Sequence, residues 1–156
     1  LVEQIRRTRR RTLYPRGGST MVTVRQVGQT VAGALERTRG GAAIPVGWYN
    51  LRWTELLAIV HRHLGLPGRT VMTVPDLAYR MAMYGLRRQQ RRAGHEGGLD
   101  LVTFTRLMTA ECFIDKAPIV ALGVQEDDLD AAIGDSIRLC VDVLDGRTEA
   151  LTMRGE

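Results

Sequence analysis

Apolar positions recur along the chain in two rhythms. Met21-Val22-Thr23-Val24 is a short β-branched run and reads as a strand. From Gln26 the spacing changes: Val27, Val31, Ala34, Leu35 and Thr38 recur at helical intervals, and Gly40-Gly41 closes that helix. Ala42 to Gly47 reads as a second short strand, which Pro45 confines to an edge or a strand end. The cleanest helical stripe follows, through Trp53, Leu56, Leu57, Val60 and Leu64, and stops at Gly65-Leu66-Pro67-Gly68. Arg69 to Pro75 reads as a third strand. Pro75 then opens a helix carrying Leu77, Met81 and Tyr84, with Gly85 as its weak point and Arg87 to Arg92 as its solvated end. Ala93 to Gly98 is a glycine-rich loop, and Leu101 to Met108 a further helix. The last helix bears Leu129, Ile133, Ile137, Cys140 and Leu144 on one face, with Glu126, Asp127, Asp128 and Asp130 at its N-terminus, where the helix dipole favours negative charge. The two strongest stripes need cover. Trp53, Leu56, Val60 and Leu64 are therefore expected against Leu129, Ile133 or Ile137.

The length, 156 residues with 44% hydrophobic content, suits one domain or slightly more and excludes wholesale disorder. No run approaches the ~18 apolar residues of a membrane span. Residues 1–11 are too basic to read as a signal peptide. Cys112 and Cys140 are far apart with no metal-type spacing, which points to reduced thiols, a cytoplasmic setting and a core place for Cys140.

Charge is unevenly spread. Residues 1–39 hold nine arginines against Glu3 and Glu36, residues 40–110 nine against four acids, and residues 111–156 four bases against eleven acids. Lys116 is the only lysine, and so pronounced an arginine skew reflects codon composition more than selection for phosphate. If residues 1–11 form a helix, Leu1 and Ile5 share one side. Arg6, Arg7, Arg9 and Arg10 then spread around the rest instead of lining one phosphate-tracking stripe. The opening reads as a solvated flank, and nucleic acid is not the expected partner. The alternative from another class is a stand-alone Arg-rich module, binding nucleic acid or a protein through Arg6–Arg11 and Arg87–Arg92.

Most catalytic signatures are absent: no GxGxxG, GK[ST], GxSxG or HExxH occurs. His61 and His63 lie two apart on a helix and face roughly opposite ways, so they read as ordinary histidines and not as joint metal ligands. His95-Glu96 falls in the glycine loop, and a helix N-terminus accounts for Asp127, Asp128 and Asp130. No catalytic, cofactor-binding or metal-ligating residue is assigned.

One constellation stands out, and it is an order of segments. Residues 15–65, PRGGSTMVTVRQVGQTVAGALERTRGGAAIPVGWYNLRWTELLAIVHRHLG, resemble a run in the extended short-chain dehydrogenases, the NAD(P)-dependent epimerase/dehydratase-type enzymes. There a glycine-containing segment leads into a V-x-V-x-D-V strand-to-helix step, then a helix, a short strand and an N-L-[ST]-W-x-E-L helix start. Phe113-Ile114-Asp115 and Ala121-Leu122-Gly123 resemble the family's later [FY]-I-D and A-L-G steps, so the likeness covers about residues 12–145.

The departures shape what the resemblance implies. Gln26 stands where the family has Asp, a better helix cap, so that helix start should be loose. Arg52 replaces a capping Ser or Thr, and Glu55 keeps half of a capping box. Ser19 stands near the place of a basic residue that holds the diphosphate in sugar-nucleotide members, with Arg16 further back, which favours a smaller carbonyl or alcohol substrate. The catalytic Tyr-x-x-x-Lys pair is missing: four residues after Tyr14, Tyr49, Tyr79 and Tyr84 come Gly18, Trp53, Met83 and Arg88. The glycine-rich pyrophosphate turn is missing too.

In the family both features lie upstream of everything matched here, and the chain opens on Leu1. The resemblance therefore implies the C-terminal half of such an enzyme: an α/β chain with the edge of a Rossmann-type sheet and a mostly helical substrate-binding lobe. Residues 1–50 would hold terminal strands and a helix of the nucleotide-binding sheet, 51–150 the substrate lobe and 151–156 a tail. NAD or NADP would belong to the parent enzyme, completed by an N-terminal nucleotide-binding half and acting on a sugar nucleotide or related small molecule. The chain alone would be inactive, either as part of that enzyme or as a pseudo-enzyme partner subunit. Arg16, Gly17 and Gly18 are the expected substrate lining, since glycines admit close backbone approach and Arg holds an anion.

Overall fold

The computed structural model describes residues 2–7, 11–92 and 100–149 of the chain, a mixed α/β arrangement. The opening arginine run is divided. Helix α1 covers Val2–Arg7 and strand β1 covers Arg11–Pro15. A single opening helix is thus corrected, because Thr12-Leu13-Tyr14 is a β-branched and aromatic run that pairs in parallel with β4 (Thr70–Val74), Leu13 opposite Met72. Ile5 on α1 is buried and Arg6 is ion-paired with Asp145 at 2.8 Å, which also holds the Asp145 carboxyl below its ordinary value. Arg9, Arg10 and the His95-Glu96 loop lie outside the described residues.

A second sheet of three strands has β2 (Gly18–Met21) at its centre, antiparallel to β3 (Tyr49–Arg52) and parallel to β5 (Glu111–Cys112). The β-branched run at Met21–Val24 is only the tail of β2, because Thr23 turns to cap the next helix. Ala42 to Gly47 forms no strand. Pro45 lacks an N–H, and pairing resumes only with the Trp48 N–H on the Met21 carbonyl at 3.1 Å.

Helix α2 (Val24–Arg37) starts firmly, contrary to the loose start expected of Gln26. Thr23 is its N-cap: the Gln26 N–H donates to Thr23 Oγ1 at 3.2 Å, and the Thr23 N–H to Gln26 Oε1 at 3.1 Å. Gln26 is the third residue of a capping box, not the cap, and its amide also donates to the Gln125 carbonyl. That anchoring turns Gln26, Thr30 and Gly33 inward and leaves Val31 and Leu35 exposed. The periodicity identified the helix but not the face that is covered.

Helix α3 (Trp53–His63) packs on α7 (Leu129–Leu144), as the two strong stripes require. Leu57, Val60, Ile5 and Ile137 form the buried centre, with Leu56, Leu64, Ile133 and Val141 packed against it. Cys140 is exposed, not core. The His63 ring fills the notch at Gly134, so α7 presents Gly134, Ile137 and Val141 inward and carries Cys140 round to solvent. Helix α4 (Asp76–Arg92) runs unbroken through Gly85 and packs on α5 (Leu101–Thr109), while its Leu77, Met81 and Tyr84 point outward. The short α6 (Ala117–Ala121) buries Ile119, and the carbonyl of Leu122 just beyond it packs close to Gly33 of α2.

His61, on α3, is buried, with its Nε2 3.1 Å from Thr12 Oγ1 of β1, and its Nδ1 has no hydrogen-bond partner among the described residues. Burial, reinforced by the Arg69 guanidinium, lowers its pKa below 6.5. The unfolded chain therefore binds a proton more readily than the native one. Stability contributed by neutral His61 is present at neutral pH and is lost as pH falls through about 6.5. We expect the thermal midpoint to fall between about pH 7 and 5, and His61→Leu to flatten that slope. An unchanged slope in the variant would contradict this account. Asp127 and Asp145, also held low, act in the same direction but below their ordinary value of 3.8.

Candidate functional site

The parallel pair β1–β4 ends at Pro15 and Val74, and there the chain leaves a cavity of about 390 Å³ lined by Pro15, Arg16, Gly17, Arg52, Thr54, Thr73 and Glu111. Its position follows from the strand order. β1 delivers Pro15 to the rim, Arg16-Gly17 turns the chain, and β2 carries it into the second sheet. Gly17 has φ +124°, a conformation that L side chains rarely adopt, and a Cβ there would lie 2.6 Å from the Met108 and Ala110 carbonyl oxygens. Its own carbonyl accepts the Trp53 N–H at 3.0 Å, joining the turn to the start of α3.

Two of the three residues expected to line a substrate site, Arg16 and Gly17, meet in this cavity. Gly18 does not line it. It is buried at the centre of the three-stranded sheet, opposite Arg52 on β3 and Glu111 on β5. Directly paired residues project to one face, and glycine puts nothing between them, so Arg52 Nε reaches Glu111 Oε1 at 3.1 Å. Thr54 and Thr73 complete the lining. Arg16 makes no hydrogen bond or ion pair with any described residue.

Sequence reasoning did not bring Arg52, Thr54, Thr73 and Glu111 to the site. Arg52 carried a legible signal, an arginine where a capping hydroxyl was expected. Its backbone N–H is bonded to Glu55 Oε2 at 2.7 Å, as the half capping box predicts, which leaves its guanidinium for the cavity. Glu111 gave no local signal, since its approach depends on the long-range pairing of β5 with β2.

Comparison with known proteins adds nothing further. No family model, curated protein or solved structure matches the chain.

A bound dinucleotide can be tested against the residues present. Its pyrophosphate needs a glycine-rich turn and free N–H groups at a helix N-terminus. Here α2 is preceded by Val22-Thr23 and α3 directly by β3, and both N-termini are capped by the chain's own side chains or residues, Thr23 with Gln26 and Glu55 with the Arg52 N–H. The turn into α4 is Pro75. The described residues do not fit NAD or NADP.

Elsewhere, Val31, Ala34, Leu35 and Ile44 line an open groove of about 340 Å³ with no charged group. Thr23, Tyr49 and Asp127 form a linked cluster: Thr23 Oγ1 donates to Asp127 Oδ2 at 2.6 Å, the Asp127 N–H to the Tyr49 hydroxyl at 2.9 Å, and that hydroxyl to the Asp127 carbonyl. The Thr23 bond is the main reason the Asp127 carboxyl is held low. This cluster fastens α2, β3 and the approach to α7, and its carboxylate also accepts from the Asp128 N–H at 3.0 Å. Among the described residues no three His, Cys, Asp or Glu side chains come together as metal ligands, and no helix is long and apolar enough to cross a membrane.

Proposed function

We propose that this chain is the substrate-binding portion of an NAD(P)-dependent epimerase/dehydratase or reductase. A small carbonyl or alcohol compound would bind in the Arg16–Arg52 cavity, with the dinucleotide held by a nucleotide-binding half on other residues. The observation that supports this most is the place of the cavity. Ligands of open α/β sheets bind outside the carboxyl ends of parallel strands, where loops can be shaped without disturbing the sheet. The cavity occupies that place beside β1 and β4, and its lining includes Arg16, which has no ion-pair partner among the described residues. The Arg-rich module has less support, since Arg6 is paired with Asp145 and Ile5 beside it is buried.

The reading is tested on the purified chain with a panel of sugar nucleotides, small carbonyl compounds and alcohols. A compound bound at ten times its Kd stabilises by about 1.4 kcal/mol, a rise of roughly 3–6 °C in midpoint for a chain of this size. Arg16→Ser should abolish that rise. No saturable NADH or NADPH oxidation is expected from the chain alone, for want of the Tyr/Lys pair. Turnover by the chain alone, or no compound acting through Arg16, would contradict the proposal.

A further inference from the structure

We infer that the cavity selects a small hydroxylated carboxylate, with Arg16 as the anion-binding residue and the Arg52–Glu111 pair setting the preferred charge. This rests on the cavity being the substrate site proposed above. The lining carries two guanidinium groups and one carboxylate, a net of one positive charge. Arg16 has no described partner, while Arg52 gives one N–H to Glu111 and keeps its other donors. A carboxylate carries one negative charge and matches the planar fork of an arginine. A phosphate monoester, at roughly −1.5 to −2, exceeds what the lining neutralises and meets repulsion from Glu111.

The remaining polar groups suit hydroxyls. Thr54 and Thr73 donate and accept, and Glu111 has a second carboxylate oxygen to accept from a ligand O–H. Thr54 also stands in the first turn of α3, whose dipole adds partial positive charge. The volume, about 390 Å³, is near the small end of ligand pockets and suits a sugar-acid-sized compound.

The test compares three probes of one carbon skeleton by calorimetric titration of the purified chain at low salt: gluconate, glucose and glucose 6-phosphate. Gluconate should bind about tenfold or more tighter than either of the others, since charge-assisted bonds are the strong ones. Arg16→Gln should lower gluconate affinity about tenfold and leave glucose within about twofold. Glu111→Gln raises the net charge of the lining by one and should shift the preference toward glucose 6-phosphate. Arg16 is exposed and has no partner among the described residues, so Arg16→Gln should fold and carries the test by itself should Glu111→Gln not. Glucose binding as tightly as gluconate, or Arg16→Gln weakening both equally, overturns the carboxylate inference while the cavity remains a substrate site. Binding of none of the three probes overturns the carboxylate inference, and the substrate site itself then stands or falls on the wider panel.

Discussion

Leu57→Ala should cost the protein about 2–5 kcal/mol, the usual range for truncating a buried leucine whose surroundings relax only partly. Leu57 is 1% exposed and lies at the centre of the cluster with Ile5, Val60 and Ile137. Three elements meet on that cluster, α1, α3 and α7, and the half-buried Tyr14 and Val71 bring in β1 and β4. A cavity there loosens the parallel strands whose ends form the candidate site. Leu35 of α2 supplies the contrast: it is 81% exposed, and Leu35→Ala should change stability by no more than about 0.5 kcal/mol. Urea unfolding of the two variants checks the pair. Equal losses would mean that α2 is covered in solution.

Gly18→Ala is the second large expected effect. The added Cβ would run into the Leu51 carbonyl oxygen and sit 2.9 Å from both Arg52 Cα and Phe113 Cε1. Two of these three atoms are backbone of the neighbouring strand, so no rotamer change relieves the contact and β2 and β3 must separate. Overpacking of this kind costs about 1–3 kcal/mol. Separation also pulls Arg52 from Glu111, so ligand affinity should fall with stability. Gly28→Ala is the control. Its Cβ would meet nothing within 4 Å on the exposed side of α2, and alanine is favoured over glycine in a helix by about 1 kcal/mol. A harmless Gly18→Ala would refute the close packing of β2 on β3.

What was legible in the sequence follows the range of the forces involved. Helices α3, α4, α5 and α7 were visible because their apolar spacing is local. The pairing of α3 with α7 followed because both stripes needed cover. Orientation was less legible. Val27, Val31 and Leu35 mark a helix as clearly as Leu56 and Val60 do, yet Gln26 is held by Thr23 and by the Gln125 carbonyl, and that distant bond decides which face of α2 turns inward. Cys140 missed the core for a similar reason, the His63 ring lodging at Gly134. Strand β1 hid in an arginine-rich stretch because its pairing partner is some sixty residues away. Arg16 and Gly17 were singled out from residue type alone, and both line the cavity. Glu111 was not, because only the parallel pairing of β5 with β2 brings it to Arg52.

The most direct measurement is an amide chemical-shift map of the isotope-labelled chain titrated with gluconate. The account predicts saturable shifts concentrated on Arg16, Gly17, Arg52, Thr54, Thr73 and Glu111, and their loss in Arg16→Gln. Shifts centred on the apolar groove of Val31 and Leu35, or spread without saturation, would contradict it.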